Sequence, residues 1–343
     1  MCIRDSVQTD SLAQDNATYR IIFDAKWSEV THPYEFPAEE PNIARWSPVA
    51  GMTHNLSTQL FEEGTIASQG IVNISQTGSR QPLDAEIAAL IDAGNAETYI
   101  ESATRVMPSP DTISTTFSAS SSHPYLSLAS MIAPSPDWFV GFNNLNLVEN
   151  GEFIESKIIQ FTPYDSGSDS GVSFASPNED TQPRENIFQI TDGLLANDNG
   201  DINSLGIWRI QRIDAGSNCD ANGGSITGGP FTFTVDGEAD NIPQGAITLT
   251  GTNGANNQWV VTDERGFILG LPPTPSAPDF DAAGPGLCFI RNVAFETGLE
   301  GLELGNNIED LRGCFSLSNS TYCLLYTSPS PRDRTRSRMP SSA

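Results

Sequence analysis

The sequence predicts an all-β protein: an antiparallel β-sandwich carrying one short helix, followed by a second β-sandwich domain. Three observations point there. Apolar residues recur at every second position in several short runs, the spacing that puts one face of a strand on a core. Turn residues separate those runs, drawn from 29 Gly and 23 Pro. A single segment shows clear helical spacing, so helices cannot form the core.

The elements follow in order. Tyr19, Ile21, Phe23, Ala25 and Trp27 alternate with other residues and predict a first strand. After Pro82, the residues Leu83, Ile87, Leu90 and Ile91 share one helical face, and Gly94 stands where it would end the helix. The apolar run LGIWRIQRI predicts a strand over residues 207–213 that closes the first domain, with residues 194–203 as a surface excursion before it. DAGSNCDANGGSITGG, at residues 214–229, reads as a linker, which puts a boundary near residue 215. Beyond it, Phe231, Phe233 and Val235 alternate with threonines. Ile247 with Leu249, and residues 259–262, add further short strands.

Both ends read as foreign. MCIRDS at residues 1–6 and CLLYTSPSPRD at residues 323–333 back-translate to cores that are reverse complements, as a translated sequencing-library adaptor would be. Residues 1–6 and 323–343 are therefore set aside as adaptor artefact. A leader or anchor would lie outside the captured fragment. Cys219, Cys288 and Cys314 then count as native, which allows one disulfide and one leftover thiol; Cys288–Cys314 is the preferred pair.

Charge excludes two function classes. With 17 Lys+Arg against 43 Asp+Glu, the 343 residues carry a net charge of −26. A nucleic-acid or anionic-membrane binder needs a field of the opposite sign, unless a bound cation supplies it. No apolar run approaches the roughly 18 residues that a bilayer span requires. Lys26 and Lys157 are the sole lysines, and so large an excess of carboxylate suits a saline setting, where salt screens repulsion.

The most informative chemistry lies between residues 133 and 180. APSPDWFVGF places Asp137 on a stiff loop tip that enters a strand, and PYDSGSDSG places Asp165 and Asp169 four apart in a loop of Gly and Ser. Small residues let such a loop curl, so hard oxygens can converge as Ca²⁺ prefers; Mg²⁺, which demands near-octahedral order, fits less well. A solvated acidic loop is the competing explanation.

These residues resemble a family. WSEVTHPYEFP (residues 27–37), RWSPVAGMTHN (45–55), GTIASQGI (64–71), MIAPSPDWFVGF (131–142) and PYDSGSDSGVSFASPNEDTQP (163–183) resemble, in that order, the spondin N-terminal domain found in F-spondin, mindin and bacterial secreted proteins. With IWRIQRI as terminal strand, the resemblance covers residues 17–214. It implies an eight-stranded sandwich similar to calcium-dependent phospholipid-binding sandwiches, with Ca²⁺ held by loops at one end and a role in adhesion. Carried over by motif, the ligands fall on Asp137, Asp165 and Asp169, with a backbone carbonyl near Gly167 as a further donor. Some members add a glutamate on the strand before PSPDW, where this chain has Ser118. Animal members carry structural cysteines that this domain lacks.

Residues 217–322 are less readable; they look like a module of roughly 100 residues repeated in bacterial surface proteins. Their Asp236, Glu238, Asp240, Asp263, Asp279 and Asp281 read as a soluble acidic face rather than a second cation site. No enzyme is expected. His32, His54 and His123 lie near turns without H-x-x-x-H or G-x-S-x-G context, and no phosphate-cradling glycine loop occurs. Trp27, Trp46, Trp138, Trp208 and Trp259 sit in apolar patterns and read as core. The expected function is an extracellular, secreted or cell-surface calcium-binding adhesion module that meets a matrix, cell-surface or glycan ligand. The alternative is a structural stalk repeat in which calcium only stabilises the fold.

Overall fold

The computed structural model describes residues 15–39, 41–196, 202, 205–214 and 219–327. Residues 1–6, 215–218 and 328–343, which bear on the adaptor and linker expectations, lie outside the described residues, as does most of the excursion over 194–203.

In chain order the first unit contains β1 (Asn16–Ala25), β2 (Ala50–His54), α1 (Gln69–Thr77), α2 (Leu83–Asp92), β3 (Ala96–Glu101), β4 (Thr112–Ser120), β5 (Tyr125–Ala133), β6 (Trp138–Asn146), β7 (Ser156–Gln160), β8 (Thr162–Asp165) and β9 (Gly206–Arg212). Four strands form one antiparallel sheet in the order β7-β9-β1-β4. The facing sheet runs β8-β6-β5-β2-β3, extended by the short pairs Phe188–Gln189 on β8 and Arg45–Trp46 on β5. Period-2 alternation explains the core between them. Tyr19, Ile21 and Phe23 of β1 point inward with Trp208 and Ile210 of β9, and they meet Leu126, Leu128, Val140 and Phe142 of the other sheet.

The outer face of the larger sheet is covered by helices. Ala50, Met52, Ala129 and Phe139 pack there against Ile71, Ile74, Leu83 and Ile87. The helix expected after Pro82 is α2. The segment over residues 69–77, expected to hold no helix, is α1, and the correction has a local cause. Ile71, Val72 and Ile74 are β-branched and Gly70 weakens the first turn, so intrinsic propensity argues against a helix. Tertiary contacts reverse this. Ser68 Oγ accepts from the Ile71 amide at the N-terminus, and Glu86 of α2 accepts from the Gly70 amide at 2.8 Å and from Ser68 Oγ at 2.7 Å.

The second unit contains β10 (Phe231–Val235), β11 (Asn256–Asp263), β12 (Ile268–Gly270), β13 (Gly286–Phe295), β14 (Phe315–Leu317) and β15 (Thr321–Thr327). Its main sheet runs β10-β15-β13-β11-β12, with β14 also on β13. β10 and β15 are parallel, the others antiparallel. β15 thus runs from Thr321 into the stretch set aside as adaptor. Thr321, Cys323 and Leu325 are buried on one face, a period-2 pattern that serves a strand whatever its coding origin.

The expected Cys288–Cys314 bridge is not formed; the disulfide is Cys219–Cys314. Cys288 sits in β13 with its side chain buried, directly opposite Cys323 of β15, and both thiols are free. Cys314 lies just before β14, within reach of the segment that enters the second unit. Four of the five tryptophans are buried core residues, as expected, and Trp259 is half-buried at the edge of the second core.

The second unit packs on the outer face of the four-stranded sheet. Ile158 and Ile207 join Val260, Val293, Phe315 and Leu317 in one apolar cluster. Around it, Ser156 Oγ donates to the Phe315 carbonyl at 2.8 Å, Lys157 Nζ to that of Glu309 at 2.7 Å, and Arg209 Nη1 to that of Leu317 at 2.6 Å. Asp24, 1% exposed, pairs with Lys26 at 2.7 Å and Arg209 at 3.5 Å. Burial alone would push its carboxyl up, but Lys26 and Arg209 together hold it below the ordinary range.

Candidate metal centre

Asp137 and Asp165 come together where β6 begins and β8 ends. Trp138 pairs with Asp165 across these strands, and Asp137, one residue before Trp138, lies close enough for its charge to act on Asp165. Asp137 is completely buried. Its Oδ2 accepts from the Ser168 amide at 2.6 Å, the Asp169 amide at 3.0 Å, Ser166 Oγ at 2.9 Å and Ser168 Oγ at 3.0 Å. Its Oδ1 is buried and accepts nothing. Asp165 uses Oδ1 to accept from the Gly167 amide at 2.7 Å and Oδ2 to accept from the Trp138 indole N–H at 3.1 Å.

The electrostatics call for a positive charge. Burial pushes the Asp137 carboxyl up, against the hydrogen bonds that lower it. Burial and then the charge of Asp137 push Asp165 up to about 7. Among the described residues no Lys or Arg forms an ion pair with either. An orphaned buried carboxylate oxygen costs on the order of 1–3 kcal/mol or more, and a hard cation is the partner such oxygens accept best.

Asp169 is placed differently. Its amide touches Asp137, but its carboxylate turns its own loop: Oδ1 accepts from the Gly171 amide at 2.8 Å and Oδ2 from the Glu179 amide at 2.9 Å. Among the described residues no three His, Cys, Asp or Glu side chains are arranged to share one ion. What the residues offer a divalent cation is the buried, unpartnered Asp137 Oδ1 with the Asp165 carboxylate near it, while Asp169 shapes the rim. The Gly167 carbonyl accepts from the Glu185 amide at 2.8 Å, which leaves it one further lone pair. Gly167 itself is required: its φ is +70°, and a Cβ there would collide with the Glu185 carbonyl.

Ser118 does not stand where the additional acidic ligand was expected. The strand that leads into PSPDW is β5, whereas Ser118 lies one hairpin earlier on β4, paired with Thr18. β5 runs away from that hairpin towards Asp137, so Ser118 belongs to the opposite end of the sandwich.

Sequence reasoning missed the helix that backs the site. Ser75 Oγ of α1 donates to Ser166 Oγ at 2.9 Å, and Gln76 Nε2 to Ser168 Oγ at 3.0 Å. The serines of DSGSDS were the available signal. The histidines lie apart from the site: His54 contacts Ser127 Oγ at 2.7 Å, His32 contacts Thr31 Oγ1 at 2.8 Å, and His123 contacts Ser122 Oγ at 3.1 Å. In the second unit, Asp279 and Asp281 accept backbone amides from residues 236, 237, 240 and 281, and Asp263 accepts those of Arg265 and Phe267. Those acids fix loops. No helix among the described residues is long and apolar enough to cross a membrane, which says nothing of a β-barrel.

Known proteins share the first unit. The family model described as Spondin_N matches residues 17–200. Spondin-2 of Rattus norvegicus is 32% identical over 179 residues, covering 52% of this chain and 54% of that protein. Spondin-2 of Homo sapiens is 32% identical over 175 residues, 51% and 53% respectively. Spondin-1 of Gallus gallus is 32% identical over 196 residues, 55% of this chain and 24% of that protein. The chain thus spans about half of Spondin-2 and about a quarter of Spondin-1. The match stops before β9, yet β9 lies between β1 and β7 and completes the matched sheet. The sandwich, its ordered motifs and these matches agree: the chain belongs to the spondin N-terminal domain family.

Proposed function

We propose that this chain is an extracellular calcium-binding interaction module, secreted or displayed at a cell surface, that engages a matrix, cell-surface or glycan ligand. The observation that carries the reading is the pair of a completely buried Asp137 and a half-buried Asp165, with no cationic side chain paired to either and with Asp137 Oδ1 unpartnered. Asp137 and Asp165 would hold the ion; Asp169 is the third carboxylate that family resemblance adds. Bound Ca²⁺ would supply the positive charge that the two carboxylates lack, while Ser166, Ser168 and the Asp169 amide hold Asp137 in place. The same end offers contact residues. Val172 is 81% exposed and Tyr34 60% exposed, and their loops are joined through Phe174 and Phe36, which both pack on Trp27.

The second reading, a structural role for calcium alone, is favoured by the complete burial of Asp137, because an ion seated there would hold loops rather than bridge to a ligand. One experiment separates them. Thermal unfolding with and without chelator is measured beside a binding screen on glycans and matrix proteins, in wild type and Asp165→Ala. Stabilisation should rise as RT ln(1 + [Ca]/Kd), so a midpoint unmoved by millimolar Ca²⁺ removes the metal assignment. Ligand binding that survives chelation removes the calcium-dependent interaction and leaves the structural role.

A further inference from the structure

We propose that Ser75 and Gln76 of α1 are positioning residues for the cation site, setting which oxygen of Asp137 is presented to an ion. The proposal rests on the metal reading above. Two donor relays start on the last turn of α1 and converge on one atom. Ser75 Oγ reaches Ser166 Oγ at 2.9 Å, and Ser166 Oγ reaches Asp137 Oδ2 at 2.9 Å. Gln76 Nε2 reaches Ser168 Oγ at 3.0 Å, and Ser168 Oγ reaches the same Oδ2 at 3.0 Å. The two serine hydroxyls lie 2.8 Å apart, so the relays run side by side and meet at their shared acceptor, Oδ2.

Each hydroxyl has a single proton. A serine that gives its proton to Asp137 keeps its lone pairs for a donor behind it: Gln76 is that donor for Ser168, and Ser75, whose hydroxyl also lies 3.0 Å from the Val72 carbonyl of its own helix, is that donor for Ser166 in the rotamer turned to the loop. Gln76 also donates to the Ser168 carbonyl at 3.3 Å, gripping the loop backbone as well as its side chain. The network saturates Oδ2 and leaves Oδ1 as the single oxygen of Asp137 able to meet a cation. Asp137 becomes a one-oxygen ligand of fixed direction. Ser75, Ser166 and Ser168 are all buried, so water does not replace a lost partner readily.

The test uses Tb³⁺ as the probe, read by emission sensitised through Trp138, whose indole already contacts Asp165. Wild type, Ser75→Ala, Gln76→Met and Asp165→Asn are titrated with Tb³⁺ and back-titrated with Ca²⁺, and melting midpoints are recorded in EDTA. Partners of metal ligands typically affect affinity by about 10- to 100-fold, so Ser75→Ala and Gln76→Met should each weaken Ca²⁺ and Tb³⁺ binding about tenfold. Ser75→Ala, which strips a buried partner, should also lower its EDTA midpoint, whereas Gln76→Met, at a half-buried position, should keep its midpoint close to wild type; a merely structural role would lower the midpoints and leave affinity alone. Affinities within twofold of wild type in both variants overturn the positioning role while the metal site stands. A wild type whose emission Ca²⁺ does not displace, matching Asp165→Asn, removes the metal site and the positioning role together. Should Ser75→Ala not fold, Gln76→Met, at a half-buried position, decides the question.

Discussion

Replacing Asp165 by Asn should make the calcium-free protein more stable at pH 8 and nearly abolish its response to calcium. The sign follows from the raised carboxyl of Asp165, about 7 against an ordinary 3.8. A carboxyl raised by folding contributes stability that is present below its unfolded value and is lost as pH rises through the folded one. The calcium-free wild type should therefore weaken between about pH 4 and pH 7 and stay weakened above. The shift is about three units at roughly 1.4 kcal/mol each, an upper figure of about 4 kcal/mol; partial hydration of Asp165 reduces this to about 2–3 kcal/mol. At roughly 2–4 °C per kcal/mol for a unit of this size, Asp165→Asn should melt about 4–12 °C above wild type in EDTA at pH 8. Near pH 4 the two should coincide. Millimolar Ca²⁺ should raise wild type past the variant. Scanning calorimetry at pH 4, 6 and 8, each with EDTA or Ca²⁺, reads these outcomes. A variant less stable than wild type in EDTA at pH 8, or one that keeps the full calcium shift, refutes the charge argument.

Three further outcomes follow from the geometry. Gly167→Ala forces a side chain at φ +70° into the Glu185 carbonyl and should cost at least about 2 kcal/mol in urea unfolding and remove the calcium shift; an unchanged midpoint would contradict the required backbone shape. Asp24→Asn strands Lys26 and Arg209 beneath the second unit and should cost about 3–5 kcal/mol near pH 7. Because the Asp24 carboxyl is held low, that deficit should shrink as wild type itself loses stability on acidification. Cys314→Ser opens a bridge between residues 95 apart and should lower stability by up to about 4.7 kcal/mol on loop-entropy grounds, whereas Cys288→Ser, which breaks no bridge, should cost less.

Local pattern carried some parts of this molecule and not others. The strand Asn16–Ala25 is legible because Tyr19, Ile21 and Phe23 alternate, and the helix Leu83–Asp92 because Leu83 and Ile87 share a face. Helix α1 is illegible for the opposite reason: its β-branched residues prefer a strand, and the carboxylate that caps it, Glu86, comes from the next helix. The Cys288–Cys314 expectation fails because strand register sets Cys288 opposite Cys323 while Cys314 bonds Cys219, and register is a property of the folded sheet. At the candidate site, loop composition pointed to Asp137, Asp165 and Asp169. It could not show that Asp169 spends both oxygens on its own loop, or that α1 lies behind Ser166 and Ser168. Ser118 falls at the far end because the hairpin between Thr112–Ser120 and Tyr125–Ala133 reverses the chain, which motif order does not reveal.

The central position of Gly206–Arg212 has a practical side for anyone expressing this protein. A gene fragment trimmed to the matched segment, residues 17–200, would delete the strand that bridges Asn16–Ala25 and Ser156–Gln160. Both neighbours would then present bare amides and carbonyls, beside an uncovered indole-sized gap left by Trp208. Such a product should clump through open sheet edges, whereas one carried through residue 327 keeps every one of these strands zipped and its outer face roofed.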